Sequence, residues 1–195
     1  DGYKSSLRHD NFVPDVALID PELMLGCPPD VTAACGLDTL TQLLEAYVST
    51  KASPMTDALA LDGLAHVASG FMAAYENGSE NLAARADMAY AALLSGIVLA
   101  NAGLGVVHGF AGPLGGFFPI PHGVVCGTLI GAATRINIET MRHDATRYSA
   151  ALEKYARAGA VLSGRQHVVD VEADCDLLIR MLDKWIAGTG IARLS

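Results

Sequence analysis

Between Asp87 and Arg135 the chain carries no Asp, Glu, Lys or Arg, and the histidines of that stretch are His108 and His122, set in VVHGFAGPLGGFFPIPHGVV. A neutral imidazole in such dry surroundings is either a packed core group or a metal ligand. His122 follows Pro121 at what reads as a helix start, where the macrodipole disfavours imidazolium and leaves the lone pair a divalent cation needs. Asp38 and Gln42 lie four residues apart, so both side chains fall on one helix face and can converge on one point. That spacing serves a solvated face equally well, but the neighbours here are mostly apolar or small. One carboxylate with two or three imidazoles or other donors, and one coordination position open, suits Zn²⁺ or Fe²⁺ acting as a Lewis acid.

Helices must position these groups. Pro28, Pro29 and Asp30 start a helix that runs on helical apolar spacing to about residue 49, with Gly36 a candidate kink. A second helix is expected over 54–75, with Ser53 as its N-cap and ENGS as its stop. A third spans 80–101, and Gly103 and Gly105 then break the pattern before a short helix carrying His108. Pro113, Gly115, Gly116, Pro119 and Pro121 predict a turn before another helix begins near His122. Helices over 144–162 and 169–187 complete a mainly α, bundle-like domain. Ahead of them, Val16 and Leu18 in PDVALIDPEL predict a short strand or strand-like entry.

At 195 residues, 51% hydrophobic and 17% charged, the chain suits one packed domain. A formal net charge of −8 without a Lys/Arg cluster disfavours nucleic acid and anionic lipid as partners. Cys27, Cys35, Cys126 and Cys175 form no C-x-x-C pair, which points to reduced core thiols and a cytoplasmic setting. Residues 88–107 are long enough to cross about 30 Å of hydrocarbon. They contain Ser95 and Asn101, lack flanking Lys/Arg clusters and run into a Pro/Gly-rich stretch, so a buried core helix is expected and no membrane association. The other histidines, His9, His66, His143 and His167, lack ligand-spaced partners.

Two segments, PDVALIDPELMLGCPPDVTAACGLDTLTQLLEAYVS and GLGVVHGFAGPLGGFFPIPHGVVCG, resemble in order and spacing the two signature regions of the iron-containing (group III) alcohol dehydrogenases. More distantly they are similar to glycerol dehydrogenase and dehydroquinate synthase. The resemblance implies that residues 1–195 are the helical metal-binding domain of such an enzyme, with a truncated C-terminus. The NAD(P)-binding α/β domain lies outside the chain, which has no Gly-rich phosphate-binding turn.

Carried over by position, Asp38, His108 and His122 match metal ligands, and Lys4 matches a lysine set against the cofactor ribose. Gln42 stands where most members have a histidine ligand, and its amide oxygen is a poorer donor for Fe²⁺ or Zn²⁺. Gly112 stands where many members place a histidine near the nicotinamide, so water is left to carry the alcohol proton. The implied activity is reversible interconversion of an alcohol and an aldehyde or ketone with NAD or NADP, by an enzyme that can form a homodimer. The competing reading is a non-catalytic or metal-free helical domain.

Overall fold

The computed structural model describes residues 9–191, and Lys4 lies outside them. Seven helices are found among the described residues, and no strand: α1 Pro29–Tyr47, α2 Pro54–Asn77, α3 Leu82–Ala102, α4 Val106–Phe117, α5 His122–Arg142, α6 Ser149–Leu162 and α7 Val171–Gly188. Two short 3₁₀ turns, Asp10–Phe12 and Pro21–Met24, precede them. The mainly helical fold is the one expected.

The expected strand around Val16 and Leu18 forms no ladder. Both side chains are more than four-fifths exposed, and the segment ends at the 3₁₀ turn, where Asp20 accepts the Glu22 N–H. Without a neighbouring strand, backbone groups in this stretch have no sheet partner, and apolar alternation alone cannot supply one.

Local chemistry accounts for the helix starts. The Ser53 hydroxyl accepts the Thr56 N–H and the Thr56 hydroxyl oxygen accepts the Ser53 N–H, a reciprocal cap for α2. Asn81 and Asp170 cap α3 and α7 in the one-way form. The turn expected after His108 comes later than the prolines predict, because α4 continues through Pro113 to Phe117. Proline there forfeits one bond, but the turns on either side keep theirs, with Gly109 N–H donating to the Gly105 carbonyl and Phe118 N–H to that of Leu114.

α1 is the central helix and packs against α2, α3 and α5, with Leu37, Leu40 and Leu44 fully buried. α1 runs unbroken through Gly36. A Cβ at that position would lie 2.3 Å from Phe71 Cε2, so glycine lets the α2 ring close onto α1. Long and apolar enough by composition to cross a membrane, α3 places Met88, Ala91, Leu94 and Val98 in this core and ends where Gly103 adopts φ +69°. The buried Arg85 of α3 donates to the Gly78 carbonyl, the Thr32 hydroxyl and the Cys27 carbonyl, tying the start of α1 to the α2–α3 turn. α6 and α7 pair with each other and close over α2 and α5.

Candidate metal centre

One face of α1 presents Asp38, Gln42 and Glu45, successive turns of a helix whose other buried positions are apolar apart from Thr32, Thr39 and Thr41. Glu45 reaches across to the start of α4, where one oxygen accepts the Val107 N–H at 2.7 Å and the other accepts the His108 N–H at 3.3 Å. The carboxylate thereby caps a helix that has no side-chain cap of its own. It also lies 2.7 Å from His108 Nδ1, which leaves Nε2 facing Asp38. Gly105 makes the approach possible, since a Cβ there would sit 2.7 Å from Glu45 Oε1.

The second imidazole arrives with α5. His122 is its first residue, and a Cβ on the following Gly123 would lie 2.2 Å from the Ala34 carbonyl oxygen, so α5 and α1 touch backbone to backbone. Cys126, one turn further, shares the His122 face.

Four side chains from three helices meet here. Asp38 Oδ1 is 3.2 Å from His108 Nε2 and 3.7 Å from His122 Nε2, and Cys126 Sγ is 3.7 Å from each of those nitrogens. One donor atom from each of Asp38, His108, His122 and Cys126 lies within 4.8 Å of every other. Burial works to raise the Asp38 carboxyl, but bonding to His108 and Cys126 and the nearby histidine charges outweigh it and hold Asp38 below the usual carboxylate range. Burial likewise opposes charge on His108, yet Asp38, Cys126 and Glu45 push it up to about 11. Burial raises the Cys126 thiol, with His108 working against that shift. A carboxylate, two imidazoles and a thiol so placed form a donor set that fits a divalent cation of the Zn²⁺ or Fe²⁺ kind, with Glu45 behind His108 in the manner of carboxylates that orient ligating histidines.

The sequence expectations are met unevenly. Asp38, His108 and His122 come together. Gln42 joins them by a different bond from the one expected, its amide N–H donating to Asp38 Oδ2 at 3.0 Å while its oxygen accepts from the Ser95 hydroxyl at 2.8 Å. Gly112 leaves open space, with no atom within 4 Å of where a Cβ would be. Cys35, expected among the core thiols, is exposed, while Cys126 and Cys175 are buried. Cys126 and Glu45 were absent from the expected site. The signals for them were present, Cys126 four residues after His122 and Glu45 seven after Asp38, but each also fits an ordinary helix face.

A cleft of about 410 Å³, lined by Val31, Ala34, Cys35, Asp38, His122 and Val124, opens beside the cluster. A larger groove of about 1020 Å³, between α2 and the α6–α7 region, contains none of the four donors.

Known proteins are similar to this chain over most of its length. Residues 32–191 match the Fe-containing alcohol dehydrogenase family, C-terminal region. Alcohol dehydrogenase 4 of Saccharomyces cerevisiae is 45% identical over 136 residues, covering 70% of this chain and 35% of the yeast protein. Its namesake in Schizosaccharomyces pombe is 37% identical over 90% of this chain and 45% of its own length. A 1,3-propanediol dehydrogenase of Citrobacter freundii is 46% identical over 65% of the chain and 32% of its own length. Among solved structures, a 1,3-propanediol oxidoreductase superposes with a TM-score of 0.78 at 35% identity, over 89% of this chain and 42% of that one. The chain thus spans less than half the length of these relatives. On the match across residues 32–191, this chain belongs to the Fe-containing alcohol dehydrogenase family and corresponds to its C-terminal helical region.

Proposed function

We propose that this chain is the metal-binding half of an enzyme that interconverts an alcohol and an aldehyde or ketone with NAD or NADP. The observation that carries the reading is the convergence of Asp38, His108 and His122 from three helices onto one point beside an open cleft. The names of the relatives, alcohol and 1,3-propanediol dehydrogenases, support the substrate class.

In this reading Asp38, His108 and His122 hold the cation. An Fe²⁺ or Zn²⁺ ion held there would supply Lewis acidity toward the substrate oxygen, and a nicotinamide cofactor bound mainly outside this chain would supply the hydride chemistry. Glu45 keeps the His108 ring in register through Nδ1. Val31, Ala34 and Val124 give the cleft apolar walls that limit water at the reacting carbon. With no side chain at Gly112, a water molecule takes the alcohol proton toward solvent. The resemblance assigns Lys4 to the cofactor ribose.

A second reading, a helical domain that functions without a cation, draws on the bonds already made among these groups: His108 bridges Asp38 and Glu45, and both ends of the Gln42 amide are engaged. Elemental analysis of protein purified without chelator or affinity metal separates the two. Near-stoichiometric Zn or Fe, lost in the His108→Ala/His122→Ala double variant, is the expected result. In the full-length protein His122→Ala is expected to cut alcohol-dependent NAD(P) reduction by more than the roughly 10–100-fold typical of residues behind the ligands. Metal-free, folded wild-type protein, or normal turnover by His122→Ala, refutes the metal assignment.

A further inference from the structure

Gln42 and Cys126 compete for the fourth place around this cluster, and the structure separates them. The Gln42 amide turns its N–H toward Asp38, and its oxygen, the atom able to coordinate, accepts from Ser95. To ligate, Gln42 would have to give up both bonds. Cys126 is fully buried, one helical turn from His122, and its sulfur is equidistant from the two ring nitrogens.

Those separations can be set against a tetrahedron. With Zn–S about 2.3 Å and Zn–N or Zn–O about 2.0–2.1 Å, tetrahedral angles place sulfur about 3.6 Å from each nitrogen, and oxygen about 3.3–3.4 Å from each nitrogen. The corresponding edges here are 3.7 and 3.7 Å for sulfur, and 3.2 and 3.7 Å for Asp38 Oδ1. Four of the six edges of a zinc tetrahedron are therefore reproduced to within a few tenths of an ångström. The remaining two are below 4.8 Å.

We infer that the Cys126 thiolate, and not the Gln42 amide, is the fourth protein ligand of the centre, and that it makes the site prefer Zn²⁺ to Fe²⁺. The inference rests on the cation reading proposed above. Thiolate is a soft donor that suits zinc, and zinc stands above iron in the affinity order for mixed N, O and S donors. Coordination releases the thiol proton to solvent, and no electron is transferred. Asp38 and His122 also line the open cleft, so a substrate oxygen can approach as a fifth neighbour from that side.

Cobalt is the informative probe, because Co²⁺ substitutes for Zn²⁺ and a thiolate ligand gives it an intense near-ultraviolet charge-transfer band. The full chain is titrated with Co²⁺ and then with Zn²⁺ and Fe²⁺ in a Cys35→Ser background, since Cys35 lines the same cleft. Cys126→Ser, Cys126→Ala and Gln42→Ala are compared with it. The inference expects the band in the parent and in Gln42→Ala, its loss in both Cys126 variants, Zn²⁺ affinity at least tenfold lower in those variants, and tighter binding of Zn²⁺ than of Fe²⁺ by the parent. Cobalt binding without the band overturns the Cys126 ligand while leaving the cation reading intact. Absence of any Co²⁺ or Zn²⁺ binding by the parent overturns both. Should the Cys126 variants fail to fold, X-ray absorption on the zinc-loaded parent decides: a sulfur neighbour at about 2.3 Å supports the ligand, and nitrogen and oxygen neighbours alone overturn it.

Discussion

Glu45 does two jobs with one carboxylate, capping the start of α4 and holding the Nδ1 side of His108. Its side chain is 7% exposed, so these three hydrogen bonds are made largely out of water, where leaving a polar group unpaired is costly. Replacing it by glutamine keeps the volume but turns one acceptor into a donor. Glu45→Gln is expected to lower Zn²⁺ affinity about 10–100-fold, measured by calorimetric titration; unchanged affinity would confine Glu45 to its capping role. Gln42 belongs to the same small network. It ties Asp38 to Ser95 of α3, so the carboxylate is restrained from one side by the amide and faced from the other by the histidines.

The elements bring these residues together through close approach of their backbones. Gly123 is the critical contact, because any Cβ there meets the Ala34 carbonyl at 2.2 Å, and a backbone oxygen inside a helix cannot step aside as a flexible side chain can. Gly123→Ala is expected to cost about 1–3 kcal/mol as overpacking between α1 and α5, and to weaken metal retention because it moves His122 away from Asp38. Gly109→Ala in α4 is its control. Nothing lies within 4 Å of that Cβ, and replacing a mid-helix glycine gains about 0.5–1 kcal/mol. Urea denaturation of both variants checks the pair, and equal effects would refute the close-contact account.

In the molecule as a whole, Asp174 and the proposed centre tie stability to solution conditions. Around α7, Asp174 is 3% exposed, pairs with Arg165 and accepts the Val169 N–H. Burial works to raise its carboxyl, but the Arg165 bond and the backbone N–H groups outweigh that and leave it below the usual carboxylate value. A depressed folded value means the stabilisation is complete above the unfolded carboxylate value of about 3.9 and is lost as pH falls through the folded one. Asp174→Asn is expected to cost about 1–3 kcal/mol at neutral pH, with the gap to wild type closing below about pH 4 in pH-dependent thermal melts. The other is the proposed centre. A cation held by three helices and absent from the unfolded chain at free concentrations 100 times its Kd adds about 2.7 kcal/mol, or about 5–11 °C in Tm for a domain of this size. Chelation followed by zinc readdition is expected to lower and then restore Tm by that amount, and the His108→Ala/His122→Ala variant should not respond.

Much of this was written in the chain itself. Helical periodicity, Ser53 before α2, and Gly103 after α3 define elements through bonds spanning a few residues, so local sequence suffices for them. Asp38, His108 and His122 were legible because their neighbourhoods are unusual in polarity and carry the family's signature pattern. Tertiary structure alone decided that Glu45 holds a histidine 63 positions away, that Gln42 faces Ser95 53 positions away, and that Cys126, a core residue, also joins the donor cluster. Helical periodicity names the face on which a side chain lies but not the helix that will cover it. For Gly36 and Gly123 that helix was decisive: a Cβ at the first would run into the Phe71 ring of α2, and one at the second into the Ala34 carbonyl of α1.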